Sequence, residues 1–168
     1  RGLVDIEPSR GAFVRRDIGR PRYEPLDMEY GRRGTTARQL SEARLMLETQ
    51  AAALAAEHAD EGDLAVLEEA VIRLETSGTP LERVRNDLAF HVALVAAAHN
   101  PVIETMFASI QGLTVELMVR SAGDPEVVRR SEPYHRAAFR AVADRDPDAA
   151  RAALQAHPGF AAPTHGGD

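Results

Sequence analysis

The 168-residue sequence contains no cysteine, no tryptophan and no lysine. Without cysteine, disulfide bonds and thiolate metal sites are excluded, so any metal ion must be held by histidine, aspartate or glutamate. The sequence also lacks an apolar run of 18 or more residues, and its first residues do not form a signal peptide. We therefore expect no membrane association and, as the default location, the reducing cytoplasm.

The positive charge of the chain is carried entirely by its 20 arginines, and the net charge is −6. Residues 1–38 hold nine arginines and six acids, whereas residues 39–168 hold eleven arginines and twenty acids. An acidic body repels a polyphosphate, so any contact with nucleic acid is expected from the N-terminal strip.

Residues 1–16 form the one strand-like stretch. Apolar residues lie on both sides of the turn-forming sequence EPSRG, and this pattern predicts a β-hairpin. Residues 17–35, rich in proline and glycine, predict a linker that includes one short helix near Leu26–Tyr30. Residues 159–168 predict a disordered tail.

From Thr36 onward, apolar residues recur every three to four positions, which is typical of amphipathic helices. The predicted helices cover about 36–59, 61–76, 80–98, 101–121, 125–144 and 147–157. Asn100 and Asp146, each followed by proline, are start signals for two of them. The expected fold is all-α, an antiparallel bundle of about six or seven helices over residues 36–158, preceded by the short β-hairpin.

Three of the predicted helices carry polar side chains on their apolar faces. The third helix has Asp87 and His91 one turn apart, the fifth has His135, and the sixth has His157. Burying such groups costs free energy unless each finds a partner. Three imidazoles and one carboxylate suit a divalent ion such as zinc, nickel or manganese, and facing bundle helices often supply such ligands.

The alternative interpretation is that each is a core histidine with a hydrogen-bond partner. For one histidine alone this alternative is favoured, whereas four unpaired polar groups in one core would be hard to tolerate. His58, at a helix end, His99, beside a helix cap, and His165, in the tail, are interpreted as bystanders.

The order of these motifs resembles a known family. The Asp-x3-His motif, a histidine in YHRAAFRAVADRDPDAARAALQAH, and the closing histidine look like the C-terminal ligand-binding domain of the FadR subfamily of GntR transcription regulators. QLSEARLMLETQAAALAA is similar to the first long helix of that domain, and AFHVALVAAAHNPVI to its metal-bearing helix. RGLVDIEPSRGAFV resembles the wing hairpin of the GntR winged-helix domain, and the resemblance covers about residues 1–157.

The resemblance implies a helical domain that binds a small carboxylate beside a metal ion, zinc first, and couples this binding to DNA. It also implies a homodimer. Two departures stand out: Pro133 precedes His135 in a segment that the family keeps helical, and the sequence opens inside the wing. The chain is thus expected to be a fragment without the recognition helix that enters the major groove. Arg10 and Gly11 at the wing tip are the candidate DNA contacts, and we expect weak or no DNA binding by this chain.

Arg44 places a guanidinium on the apolar face of the first helix. It is interpreted either as a clamp for an effector carboxylate or as one half of a buried ion pair with Glu48, Asp87 or a dimer partner. The resemblance favours the effector pocket. Thr114 and Arg120 on the fourth helix are further candidates for lining it.

The leading hypothesis is the effector-binding and dimerisation domain of a metabolite-responsive transcription regulator, not an enzyme. The alternative is a metal-dependent hydrolase, since an open coordination position is also what catalysis needs. No H-E-x-x-H motif supplies a general base, although Glu48 or Glu104 could be brought there by the fold. A third hypothesis is a structural metal that staples the bundle.

Overall fold

The computed structural model of the chain describes residues 4–7, 11–14, 34–122 and 125–157. Among these residues, two short antiparallel strands precede six helices. The elements are β1 (Val4–Glu7), β2 (Gly11–Val14), α1 (Ala37–His58), α2 (Glu61–Glu75), α3 (Pro80–Ala97), α4 (Pro101–Ala122), α5 (Pro125–Ala143) and α6 (Pro147–Gln155). The predicted all-α bundle is confirmed.

Several N-terminal and C-terminal predictions fall outside the described residues. β1 and β2 coincide with the two arms of the predicted hairpin, but its turn, with Arg10, lies outside them. The same holds for the short helix near residues 26–30 and for the tail beyond residue 157. The assignment of residues 1–16 to a wing therefore stays a prediction.

The helix boundaries follow from local capping chemistry. Thr36 caps α1 by accepting a hydrogen bond from the backbone N–H of Gln39, whose side chain accepts from Thr36 in return. Asn100 accepts from two backbone N–H groups of the first turn of α4, and Asp146 accepts from Ala149 at the start of α6. The first backbone N–H groups of a helix have no acceptor within the helix, and these side-chain oxygens accept hydrogen bonds from them.

The main core joins α1, α2, α3, α5 and α6. Its α1 face is built from alanines, which allow the other helices to approach the α1 backbone closely. The buried members are Ala52, Ala55, Ala56, Ala59, Leu67, Ala70, Val71, Phe90, Leu94, Ala97, Ala138, Ala141, Val142, Ala150 and Leu154. Among the described residues, none of the helices combines the length and apolar character needed to cross a membrane.

Two prolines lie close to predicted metal ligands, and they affect their helices differently. α5 continues through Pro133, so the proline does not end the helix that carries His135. α6 ends at Gln155, and the prediction that this helix reaches His157 was wrong by two residues. The residue before a proline is disfavoured in helical conformation, and Pro158 follows His157 directly.

Candidate metal centre

Four side chains from three parts of the bundle meet in the interior. Asp87 and His91 come from α3, His135 from α5, and His157 from the segment that follows α6. Each offers one donor atom, and these four atoms all lie within 4.8 Å of one another. We call this set the buried cluster; its three histidines are at most 6% exposed.

The shortest distances within the buried cluster join nitrogen and oxygen atoms that face each other. His135 Nε2 lies 2.8 Å from Asp87 Oδ1 and 3.1 Å from His157 Nε2. His91 Nε2 lies 3.7 Å from the same Asp87 oxygen. Two ligands about 2.1 Å from one ion and roughly 90–110° apart are separated by about 3.0–3.4 Å, so the spacing fits a shared cation.

Local helix geometry and one aromatic ring orient these side chains. Asp87 and His91 are four residues apart on α3, so they leave the same face of the helix. Phe90, fully buried, packs edge-to-face against His91 and His135, with ring centroids 5.5 and 5.0 Å apart. The phenyl ring therefore forms an apolar wall beside the two imidazoles.

A second pair of buried charges lies against the buried cluster. Arg44, 3% exposed on α1, donates from Nε to Oε1 of Glu48 at 2.8 Å. The other carboxylate oxygen of Glu48 forms an ion pair with Nδ1 of His91. Of the two interpretations of Arg44, the structure shows the buried ion pair with Glu48.

The carboxyl groups of the region are held in their charged forms. Burial by itself would raise the pKa of Glu48, but the positive charges of Arg44 and His91 outweigh it and the pKa is lowered. Burial would likewise raise the pKa of Asp87, yet hydrogen bonds from His135 and His91 hold it well below its usual range. Two anionic groups therefore lie beside the imidazoles.

The pKa values of His91 and His157 are shifted in opposite directions. Burial would lower the pKa of His91, but the charge of Glu48 and the hydrogen bond to Asp87 prevail and raise it to about 9. Burial lowers the pKa of His157 well below its usual range, and the positive charges of His135 and His91 lower it further. Two carboxylates and one guanidinium leave one negative charge in excess, and the raised pKa of His91 means that a proton on this imidazole offsets it.

The remaining predicted site residues lie elsewhere or outside the described part. Thr114 on α4 is buried, and its hydroxyl donates to the carbonyl oxygen of Ile110 one turn earlier. The side chain of Arg120 is not among those described, and Gly11 is the first residue of β2. Glu104, one of the two bases considered for a hydrolase, is exposed in the first turn of α4.

Two histidines interpreted as bystanders have their own partners. His58 Nδ1 lies 3.0 Å from the carbonyl oxygen of Ala98, which joins the ends of α1 and α3. His99 Nε2 lies 2.6 Å from Asp63, which in turn exchanges capping hydrogen bonds with Asp60 at the start of α2. We call Asp60, Asp63 and His99 the exposed cluster, since the His99 side chain is 49% exposed.

The contact between Glu48 and His91 is not predicted from the sequence. Glu48 was considered only as a partner of Arg44 or as a general base, and not as a contact of His91. Its spacing of four residues from Arg44 indicates a helical ion pair. Nothing in the sequence pattern indicates which α3 side chain its second oxygen reaches.

The fold and the buried cluster define an all-helical bundle with a nitrogen-rich polar centre. The FCD domain family matches residues 39–159. The galactonate operon transcriptional repressor of Escherichia coli is 30% identical over 162 residues, which cover 90% of this chain and 69% of that protein. The HTH-type transcriptional regulator LutR of Bacillus subtilis is 28% identical, over 93% of this chain and 74% of that regulator.

Solved structures agree on the fold. Streptococcus agalactiae GntR superimposes with a TM-score of 0.66 at 24% identity, covering 92% of this chain and 71% of that one. A GntR-family transcriptional regulator from Pseudomonas syringae gives a TM-score of 0.58 at 20% identity, covering 91% and 58%. The chain belongs to the FCD domain family and is a transcription regulator of the GntR family. The expectation that it is not an enzyme is confirmed by these relatives.

Proposed function

We propose that residues 36–158 are an effector-binding domain in which Asp87, His91, His135 and His157 hold a divalent metal ion. The observation that carries the proposal is the convergence of their four donor atoms within 4.8 Å in the interior of the bundle. GntR-family regulators bind DNA and small-molecule effectors, which makes control of DNA binding the function that such a site serves.

The fixed charges around the buried cluster support a bound cation, because Asp87 and Glu48 face the single guanidinium of Arg44. A raised pKa at His91 means that this buried region takes up a proton to offset Asp87 and Glu48. A divalent ion in place of that proton supplies the same compensation and gives one nitrogen of each imidazole a partner. Three nitrogen donors and one oxygen donor suit zinc best, with nickel or manganese as the alternatives.

The effector that we propose is a small hydroxy- or dicarboxylate. One of the regulators similar to this chain is named for a galactonate operon, and galactonate is a hydroxycarboxylate. Four protein donors leave one or two positions on a five- or six-coordinate ion, and a carboxylate is a suitable oxygen ligand there. When bound, the ion would act as a Lewis acid that fixes the carboxylate.

Arg44 is the candidate second contact for the effector. Its Nε is occupied by Glu48, but a guanidinium carries five N–H donors in a planar fork, so one residue can serve two carboxylates. Arg44 also lies near enough to the buried cluster that its charge lowers the pKa of His157. Thr114 and Arg120 remain further candidates for the pocket, and Arg10 and Gly11 remain candidates for DNA contact.

We further propose that the helical domain forms a cytoplasmic homodimer. Large apolar side chains remain exposed on α1 and α4, among them Met46 (61%), Val102 (65%) and Met106 (45%). Exposed apolar surface of this kind is what a subunit interface covers. Sedimentation equilibrium of the chain tests this part separately, and a monomer at micromolar concentration would contradict it.

The decisive experiment is calorimetric titration of a panel of hydroxy- and dicarboxylates into three samples: zinc-loaded wild type, zinc-loaded Arg44→Ala, and chelator-treated wild type. A charge-assisted contact contributes about 1.5–3 kcal/mol, so Arg44→Ala should weaken binding roughly ten- to a hundredfold. Arg44→Lys should recover only part, because an ammonium lacks the planar fork. Equal affinity of zinc-loaded and chelator-treated protein would make the metal structural and overturn the proposal.

A further inference from the structure

Glu48 is a fully buried carboxylate that contacts the buried cluster, through His91, without belonging to it. It is 0% exposed on α1, where Oε1 accepts from Arg44 and Oε2 pairs with Nδ1 of His91. A buried carboxylate is tolerated only when its oxygens have partners, and here both partners carry or accept positive charge. Arg44 therefore fixes one oxygen of the Glu48 carboxylate, and the other oxygen acts on His91.

The contact with Glu48 determines which nitrogen of His91 faces the centre. A carboxylate beside Nδ1 stabilises a proton on that nitrogen, because an ionised carboxylate is an acceptor only. Nε2 is then the nitrogen that faces Asp87, at 3.7 Å from Oδ1. A metal-ligating histidine commonly donates its other N–H to a carboxylate, which sets the tautomer and the ring orientation.

Arg44 in turn holds the Glu48 side chain in place. Its Nε lies 2.8 Å from Oε1, one helical turn away, in a region from which water is almost excluded. The three side chains thus form a continuous row, Arg44 to Glu48 to His91, that runs from α1 across to α3. Glu48 therefore links Arg44 to His91.

We propose that Glu48 is a positioning residue that presents Nε2 of His91 to the metal ion, with Arg44 supporting it from behind. The inference rests on the proposed metal site and adds a residue that the ligand set itself does not contain. It predicts a graded loss of metal affinity. Glu48→Gln should cause the largest loss and Arg44→Met a smaller one. Removal of a charge elsewhere on α1 should cause no loss.

The first test measures zinc affinity by competition with a chromophoric chelator. Glu48→Gln keeps the shape of the side chain but removes its charge, and it should weaken zinc binding by about 10- to 100-fold. The matched control is Glu42→Gln, which removes an exposed carboxylate on the same helix and should leave the affinity unchanged. The absorption spectrum of the cobalt(II) form should change in Glu48→Gln and not in the control.

A second variant covers the case in which Glu48→Gln does not fold with Arg44 left unpaired. Arg44→Met combined with Glu48→Gln removes both charges, a change that a buried pair commonly tolerates. The double variant should show the same loss of zinc affinity as Glu48→Gln. Wild-type affinity in either folded variant would overturn the positioning role while leaving the proposed metal site intact.

The second test uses nitrogen-15 NMR of the chelator-treated protein above pH 9, where His91 is neutral and carries one ring proton, so it does not depend on metal binding. The wild type should show a slowly exchanging proton on Nδ1 of His91, shifted downfield by the carboxylate, and the shift should shrink in Glu48→Gln. A wild-type His91 without a proton on Nδ1 would overturn the inference. If the wild type binds no zinc but keeps this proton, the proposed function fails and the orientation of His91 by Glu48 stands.

Discussion

The buried cluster and the exposed cluster are built from the same side-chain types in opposite environments. Both place a histidine nitrogen beside an aspartate oxygen, at 2.8 Å for His135 and Asp87 and at 2.6 Å for His99 and Asp63. The histidines of the buried cluster are at most 6% exposed, whereas the side chain of His99 in the exposed cluster is 49% exposed. The distances are similar, but the consequences of removing a partner are not.

Burial makes the difference, because water is an alternative partner only at the surface. A surface ion pair exchanges one set of hydrogen bonds for another and is screened by salt, so its net contribution is small. In the interior, a charge that loses its partner has nothing to replace it. The buried cluster and the neighbouring Arg44–Glu48 pair should therefore respond strongly to substitution, and the exposed pairs weakly.

The largest expected effect comes from breaking the buried ion pair. Arg44→Ala leaves Glu48 charged and buried, which should lower the free energy of unfolding by about 3–5 kcal/mol. The control is Arg73→Ala, which removes the exposed, helical Arg73–Glu69 pair and should cost at most about 0.5 kcal/mol. Urea unfolding measures both, and equal losses would remove the distinction between the two regions.

The next effect concerns metal binding by the buried cluster. Zinc at 100 times its dissociation constant should raise the free energy of unfolding by about 2.7 kcal/mol, because only the folded chain assembles the site. His135→Ala should lose this gain, whereas His99→Ala should retain it. Thermal unfolding with zinc and with a chelator gives the comparison, and loss of the gain in His99→Ala would point to the exposed cluster instead.

The pH dependence of the chelator-treated protein should be smaller per pH unit than the zinc effect and should have two signs. His91 has a raised pKa of about 9, so its stabilising contribution is complete below pH 6.5 and is lost as the pH rises toward 9. The slope should be at most about 1.4 kcal/mol per pH unit. His157 has a lowered pKa, so its contribution is present above pH 6.5 and is lost as the pH falls below that value.

These opposite signs predict a stability maximum near pH 6.5 for the chelator-treated chain. Zinc should shift this maximum upward, because the ion binds deprotonated imidazole. Unfolding curves between pH 5.5 and pH 9, with and without zinc, test both statements. A stability that keeps rising to pH 9 without zinc would contradict the assignment for His91.

The smallest effect is expected at the exposed cluster. The hydrogen bond and the charge of Asp63 raise the pKa of His99, and the shift should shrink as salt increases because the pair is exposed to solvent. NMR titration of His99 at low and high ionic strength measures this shift. A shift insensitive to salt would mean that His99 is less exposed in solution than in the structure.

Much of the fold follows from local sequence. Thr36, Asn100 and Asp146 place the helix starts because a short polar side chain pairs backbone N–H groups wherever it precedes a helix. The end of α6 shows the limit. The apolar period continues to His157, but a residue before proline is disfavoured in helical conformation, and α6 already ends at Gln155.

The candidate site was predictable in its members but not in its connections. Polar side chains on apolar helical faces identified Asp87, His91, His135 and His157, because periodicity assigns a face to each residue. Periodicity does not say how two helices are rotated against each other. The pattern therefore indicates Glu48 as a partner of Arg44 or as a general base, but not as a contact of His91. In the same way it does not indicate the contact between His99 and Asp63, which are 36 positions apart along the chain.

The sequence by itself determined an acidic, lysine-free chain of capped amphipathic helices whose apolar periodicity includes three histidines, one aspartate and one arginine. Only the tertiary structure decided that the four donor atoms meet, and that Glu48 joins Arg44 to His91. The physical reason is the separation along the chain over which each feature is determined. Caps and helical faces depend on residues within one or two turns, whereas contacts between helices depend on how whole faces pack across the core.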